Sequence, residues 1–83
     1  MSYEKVKQHK ARIIIGAKQC QRAMQNGEVN EVFIAEDANQ QLTQKVVILA
    51  KELDVPFQHV DSMMRLGKAA GVKVKASVVA IKK

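Results

Sequence analysis

Three short apolar runs and one further strand candidate alternate with segments of helical periodicity, and this alternation limits the available folds more than any other feature of the chain. The apolar runs predict strands over 12–15, 32–35 and 77–81, and a boundary at Pro56 predicts another over 56–60. The intervening segments predict helices over 2–10, 17–26, 39–54 and 63–70. The longest of these helices carries five apolar residues on one face: Leu42, Val46, Leu49, Ala50 and Leu53. Because the strands are apolar almost throughout, we expect an α/β fold, a three-layer α–β–α sandwich around a small mixed four-stranded sheet.

The length of the chain predicts one domain, and its hydropathy predicts no association with a membrane. Its 83 residues are enough for a single core, so we expect one domain over residues 1–83. No apolar run approaches the ~20 residues that a membrane-spanning helix needs. The N-terminal segment is charged from Glu4 onward and lacks the apolar stretch of a signal peptide. We therefore expect a cytoplasmic protein.

Charge is distributed unevenly along the chain. Residues 1–25 hold six cations and one acid, and residues 62–83 hold six cations and no acid. The middle segment, residues 26–61, has seven acids and two cations, which leaves a net charge of +6 overall. If the two ends of the chain meet in space, one side of the molecule is strongly positive and attracts polyanions. The alternative is a solubility charge spread over the whole surface, and composition alone does not decide between them.

No arrangement typical of an enzyme stands out. His9 and His59 have no partner carboxylate at a recognisable spacing, and Cys20 lies on the apolar face of its predicted helix. A single cysteine excludes an internal disulfide and a cysteine-based zinc site, and burial would make Cys20 a small hydrophobic residue. Glu36 and Asp37 are adjacent carboxylates, which a loop leading to a helix N-terminus explains without catalysis. We therefore expect no enzymatic activity, no cofactor and no metal.

The first candidate binding surface follows the first predicted strand. Gly16 ends that strand, and the helix after it carries Lys18, Gln19 and Arg22 on its outer face. Free N–H groups in a first helical turn favour a phosphate, and residues four apart stand side by side on a helix. Two cations beside an amide that can hydrogen-bond to base edges are suited to contact RNA. The alternative is an ordinary solvated helix face.

The second candidate surface precedes the last predicted strand and consists of Val72, Lys73, Val74 and Lys75. If this segment is a loop, its valines can contact an unstacked base while its lysines reach phosphates, in keeping with the preference of RNA-binding proteins for unpaired bases. If it is instead an edge strand, the two lysines guard that edge against aggregation. The sequence leaves both interpretations open.

Several segments together resemble the kink-turn RNA-binding ribosomal proteins (the L-seven-Ae and L-thirty-e group). The similarity extends from residue 4 to residue 81, and the length suits the short bacterial single-domain members of the group. The segments that carry it are Gly16-Ala17-Lys18-Gln19-x-x-Arg22, Val32 to Ala38, Ser62-x-x-x-Leu66-Gly67-Lys68-Ala69-Ala70-Gly71, and Ala76 to Ile81. The two most specific parts are the Ala-Glu-Asp-Ala and Leu-Gly-x-Ala-x-Gly sequences.

The resemblance implies an α–β–α sandwich that binds a kink-turn, a sharply bent RNA helix with tandem G·A pairs and a bulge. In this group the turn after the first strand carries Gly, a small residue, Asn, Glu, two variable positions and Lys. The corresponding residues are Gly16, Ala17, Lys18, Gln19 and Arg22. Lys18 in place of asparagine adds charge for the backbone, and Gln19 in place of glutamate can still accept one hydrogen bond. The resemblance therefore implies preserved electrostatic affinity and altered base selectivity.

The resemblance assigns two further contacts. The loop that packs apolar side chains on the bulged nucleotide corresponds to Val72, Lys73, Val74 and Lys75, and another contact precedes the long helix at Asn39. The implied function is recognition and stabilisation of kink-turns in structured RNA, either ribosomal RNA or a riboswitch-like RNA, by a monomer with a possible place on the ribosome. A basic module that docks on an acidic protein partner remains the alternative function.

Overall fold

The alternation of helices and strands expected from the apolar runs is present in the folded chain. The computed structural model describes residues 2–83, apart from the side chain of Ser2. A 3-10 turn at Lys10–Arg12 leads into the first strand. The regular elements are α1 (Ser2–Gln8), β1 (Ile13–Ile15), α2 (Ala17–Gln25), β2 (Val29–Ala35), α3 (Gln40–Glu52), β3 (Phe57–Val60), α4 (Met63–Ala69) and β4 (Val78–Lys82).

The differences from the sequence-based expectation lie at the ends of the elements. Strand β2 begins at Val29, earlier than predicted, because Val29 still pairs with Lys82 beyond an irregularity in the ladder. The assignment of Leu53 to the buried face of α3 is wrong. The helix ends at Glu52, so Leu53 is its C-cap, and the side chain is 43% exposed.

The four strands form one mixed sheet in the order β1-β4-β2-β3. Strand β4 runs antiparallel to both β1 and β2, whereas β2 and β3 are parallel. Strands β1, β2 and β3 therefore point in the same direction, and their carboxyl ends share one edge of the sheet with the start of β4. We call this edge, with the segments 16–22, 35–39 and 72–78 attached to it, the upper edge.

Helices cover both faces of the sheet, which confirms the three-layer α/β sandwich. Helices α1 and α4 pack together on one face, and α2 and α3 pack together on the other. Consecutive residues of β4 belong to different cores: Val79 packs with Phe33 and Leu66 on the first face, and Val78 packs with Val46 on the second. All five side chains are completely buried. Two covered faces explain why β4 is apolar and buried at four consecutive positions, from Val78 to Ile81.

The single cysteine of the chain lies in the core. Cys20 is fully buried among the residues of the α2–α3 face, as predicted. Burial raises the pKa of its thiol to about 12.

Among the described residues, each helix is too short or too polar to cross a bilayer.

Candidate nucleic-acid interface

Residues 72–75 form an exposed loop between α4 and β4, so the edge-strand interpretation of this segment is wrong. The side chain of Val74 is 70% exposed, and Lys73 and Lys75 are exposed beside it. Val72 is half-buried at the point where the loop leaves the helix. The loop thus presents one apolar side chain between two cations.

Two glycines fix the path of this loop. A Cβ atom on Gly67 would lie 2.0 Å from the backbone oxygen of Val74, so the loop can cross α4 only where a residue has no side chain. Gly71 adopts a φ of +84°, and it ends the helix in a Schellman motif. In that motif the N–H of Gly71 donates to Lys68 O at 3.1 Å, and the N–H of Val72 donates to Gly67 O at 3.0 Å.

The loop and α4 together line an open groove of about 930 Å³. Met64 and Lys68 contribute the helix side of the groove, and residues 72–75 contribute the other side. Met64 is 65% exposed, and with Val74 it makes the lining of the groove largely apolar. The sequence analysis missed Met64. The signal that could have found it is a large apolar residue beside the buried stripe of α4 rather than on it.

The start of α2 supplies a second part of the upper edge. Gly16 is the N-cap of this helix, with φ 106° and ψ 144°, a conformation that favours glycine over any residue with a side chain. The first hydrogen bond of the helical ladder runs from Cys20 N–H to Gly16 O at 2.9 Å, so the N–H groups of 17–19 precede that ladder. Lys18 and Gln19 are exposed on this first turn.

The outer and inner faces of α2 are cleanly divided. Lys18, Gln19 and Arg22 are exposed, whereas Ala17 and Cys20 are buried against the sheet. The first helical turn therefore offers unpaired backbone donors, two cations within one helical turn of each other and one amide to the same region of solvent. This arrangement can hold a phosphate and hydrogen-bond to a base edge.

Asn39 is exposed and also has a structural role. Its side-chain oxygen accepts a hydrogen bond from the N–H of Gln41 at 2.9 Å and so caps the N-terminus of α3. The side chain remains exposed. The NH₂ of the same amide is a hydrogen-bond donor that the cap does not use.

Hydrogen bonds between strand ends bring the predicted site residues to the same edge. The N–H of Gly16 donates to Val78 O at 2.9 Å, three residues beyond Lys75. The N–H of Ala35, which lies four residues before Asn39, donates to Ser77 O at 2.9 Å. The start of α2, the loop 72–75 and the start of α3 thus adjoin neighbouring strand ends at the upper edge.

Sequence comparison identifies the family of the chain. The model of the Ribosomal protein L7Ae/L30e/S12e/Gadd45 family matches residues 1–83. The chain belongs to this family. It is 51% identical over 81 residues to the RNA-binding protein YbxF of Geobacillus stearothermophilus, a match that covers 98% of each chain. It is 32% identical over 82 residues to the RNA-binding protein SaurJH9_0567 of Staphylococcus aureus, again with 98% of each covered.

A solved structure shares the fold of this family member. The Giardia lamblia 15.5kD RNA binding protein superposes with a TM-score of 0.94 at 26% sequence identity, and the match covers 99% of this chain and 71% of that one. The fold class predicted from the apolar runs is confirmed by this similarity. The family is named for ribosomal proteins and the relatives are named as RNA-binding proteins, not as enzymes, in agreement with the expectation of no enzymatic activity.

Asp37, the second of the two adjacent carboxylates, has a structural role in this fold. Asp37 accepts a hydrogen bond from the N–H of Met63 at 2.8 Å, and Ser62 accepts one from the N–H of Arg65 at 3.2 Å. Asp37 therefore stabilises a helix N-terminus as expected, but the helix is α4 and not α3, which follows it in sequence. Glu36 is exposed and carries no such role.

The two histidines belong to no metal-binding cluster of the described residues. His59 is exposed on the edge strand β3, where its ring lies 6.0 Å from that of Phe57. His9 is exposed before the 3-10 turn. Within the described residues, no group of three or more His, Cys, Asp or Glu side chains could hold a metal ion.

Proposed function

We propose that this protein recognises kink-turns in structured RNA and stabilises their bent form. RNA binding is the activity named for its family relatives, and we transfer it to this chain because the family membership covers its full length. The proposed contact residues are Gly16, Ala17, Lys18, Gln19, Arg22, Asn39, Val72, Lys73, Val74 and Lys75.

The observation that carries the proposal is the meeting of two chemically different surfaces at the upper edge. The start of α2 offers helix N–H groups, an amide and two cations. The loop 72–75 offers an exposed valine between two lysines. A kink-turn presents the matching chemistry, because its tandem G·A pairs expose base edges and its bulge exposes an unstacked nucleotide between close phosphates.

The mechanism we propose is a population shift without covalent chemistry. A kink-turn interconverts between an open and a bent form, and only the bent form brings its base edges and its bulge to the two surfaces together. A protein that binds one form more tightly shifts the equilibrium by its difference in affinity for the two forms. Gly16 and Gly67 support this role because they fix the two surfaces before RNA arrives, which lowers the entropic cost of binding.

The decisive experiment compares two RNAs of equal length. One has tandem G·A pairs and a bulge, and the other has Watson–Crick pairs in their place. We expect tighter binding to the first RNA, and closure of the angle between its arms, measured by energy transfer between dyes on the two ends. Equal affinity at physiological salt would contradict kink-turn recognition and leave a general polyanion binder, which is also the behaviour expected of a module for acidic proteins.

The physiological RNA and the cellular context complete the proposal. We propose a cytoplasmic monomer whose target is ribosomal RNA or a riboswitch-like RNA, since both classes contain bent helices of this kind. Crosslinking of the native protein, followed by sequencing of the attached RNA, identifies the target. Recovery of RNA without tandem G·A pairs would contradict this assignment.

A further inference from the structure

A set of lysines outside the proposed contact residues lies on the face formed by α1 and α4. Lys7 and Lys68 line one shallow groove of about 180 Å³ together with Arg65. Lys68 also lines the larger groove beside the loop 72–75. The side chain of Lys10 passes Gly71 at the start of that loop, with its Cδ 3.7 Å from the position of a Cβ there. We call Lys7, Lys10 and Lys68 the lysine strip.

The lysine strip carries uncompensated charge. Two other cations near it are paired: Lys5 lies 3.2 Å from Glu31, and Arg65 lies 3.7 Å from Asp61. Within residues 3–83, the three strip lysines make no ion pair within 4.0 Å, and all three are exposed. Glu4 is the acid of α1, one helical turn from Lys7.

The helices α1 and α4 beneath the lysine strip are held together by hydrogen bonds and a shared core. The hydroxyl of Tyr3 donates a hydrogen bond to Asp61 and accepts one from the N–H of Ser62 at 3.1 Å, which ties α1 to the start of α4. Val6 of α1 and Leu66 of α4 are completely buried in the same core. Lys7 and Lys68 are therefore presented by two packed helices, and Lys10 by the 3-10 turn that leads into β1.

We propose that the lysine strip binds the phosphate backbone of a double-stranded RNA arm as that arm leaves the kink-turn past the loop 72–75. This inference rests on the proposed function. The continuity of the strip with the loop through Lys68 gives the direction of the arm. Positive charge without carboxylate partners complements phosphates.

The chemistry of the strip favours a duplex over a single strand. Proteins that track single strands stack bases on aromatic rings. Of the tyrosine and phenylalanine residues described in the chain, Tyr3 is the one at the strip, and its ring is partly buried against the core between α1 and α4. Each lysine ammonium group contacts the phosphate backbone as a point charge. The strip therefore adds affinity and orientation but no base selectivity.

The test uses two kink-turn RNAs that share the same bend and differ in the length of their arms. The strip variant combines Lys7→Gln, Lys10→Gln and Lys68→Gln. The matched control combines Lys45→Gln, Lys51→Gln and Lys82→Gln, which removes the same charge from exposed positions on α3 and at the end of β4. A third variant replaces the strip lysines by arginine and keeps their charge.

We expect the parent protein, the control and the arginine variant to bind the long-armed RNA more tightly than the short-armed one. The strip variant loses this advantage, with an affinity for the long-armed RNA at least about tenfold lower and a salt dependence of log affinity flatter by about two to three. Its affinity for the short-armed RNA falls no more than that of the control. Melting temperatures equal to that of the parent verify that all variants are folded.

Three outcomes would overturn the inference. One is the absence of any arm-length effect in the parent protein, and another is an equal loss in the strip variant and the control, which indicates bulk charge. The third is tighter binding of poly-glutamate than of the long-armed RNA, lost in the strip variant, which indicates an acidic protein partner. If the parent protein binds the kink-turn RNA and a straight duplex equally, the proposed function is contradicted instead. The strip can then still be tested by comparing the strip variant with the control on the straight duplex.

Discussion

The two surfaces at the upper edge differ in what determines their shape. The start of α2 is fixed by local structure, because Gly16 turns the chain and the helical repeat places Lys18 and Arg22 together. The loop 72–75 is fixed by a tertiary contact, because the backbone oxygen of Val74 lies against Gly67 of the preceding helix. The first surface therefore depends on secondary structure, and the second depends on a close approach between backbones.

The largest effect is expected from Gly67→Ala, which attacks the tertiary contact. Replacing glycine by alanine inside a helix normally stabilises it by about 1 kcal/mol. Here the new Cβ would lie 2.0 Å from Val74 O, so the loop must move. We expect the free energy of unfolding, measured by urea titration, to fall by about 3 kcal/mol. This value is in the upper range for overpacked sites.

The RNA affinity of Gly67→Ala separates the two surfaces. Binding by a folded Gly67→Ala protein should no longer respond to a second change at Val74, whereas it should still respond to Arg22→Ala. A Gly67→Ala protein that is as stable as the parent would contradict the role of this contact.

The next largest effect concerns the inner face of α2. Cys20 is completely buried, and its Sγ lies 3.5 Å from Ile14 O. Cys20→Ser places a more polar group in this site and should lower the free energy of unfolding by about 1–3 kcal/mol. RNA affinity should stay unchanged, because the proposed contact side chains of α2 are exposed on the opposite face of the helix from Cys20. Lost RNA binding with unchanged melting would contradict this division of faces.

The same variant tests the raised pKa of the thiol. An exposed cysteine ionises near pH 9.0, while burial raises the pKa of Cys20 to about 12. The unfolded chain thus releases its proton first, so the stability that the neutral thiol provides is present below pH 9 and is lost as the pH rises toward 12. The difference in stability between parent and Cys20→Ser should shrink over that range.

Local patterns explain why so much of the fold was predictable. Strands β1 and β4 and the second half of β2 are apolar runs, Pro56 marks the start of the segment that becomes β3, and the longer helices have an apolar periodicity, so the order of elements follows from neighbouring residues. The sequence analysis also proposed the two surfaces, because Gly16 ends a strand and the pairs of valines and lysines precede another, and the structure leaves both exposed. The burial of Cys20 followed from its place on the apolar face of α2.

Long-range contacts account for what the sequence left undecided. Residues 72–75 could be a strand or a loop, and only the approach of Val74 to Gly67 determines which. Asp37 caps a helix that begins 26 residues later, a partner that no local pattern indicates. The groove at Met64 forms only once the loop lies against α4. The missing information was tertiary in each case.

A smaller effect, confined to binding, is expected from Val74→Ala in the loop. The valine is 70% exposed in the free protein, so its truncation should leave the free energy of unfolding unchanged. It removes apolar cover from an unstacked nucleotide and should weaken kink-turn binding by about 1 kcal/mol, as expected for one or two buried methyl groups. The slope of log affinity against log salt should match that of the parent.

Arg22→Ala is the matched control for Val74→Ala. It removes a charge from the start of α2 and should flatten the salt dependence by about one phosphate contact. If Val74→Ala has no effect at any salt concentration while Lys73→Ala does, the loop contributes charge alone, and the chemical contrast between the two surfaces is absent.

The smallest effect on affinity is expected from Gln19→Ala, which sharpens the contrast within α2 itself. Lys18 and Arg22 carry charges that any RNA backbone satisfies, whereas the amide of Gln19 can hydrogen-bond to a base edge. Truncation of this exposed side chain should therefore reduce the preference for G·A-containing RNA over fully paired RNA more than it reduces affinity for either. Binding of both RNAs at several salt concentrations gives the two quantities separately. An equal loss on both RNAs would place Gln19 among the backbone contacts, and the selectivity of the protein would then have to come from the loop 72–75.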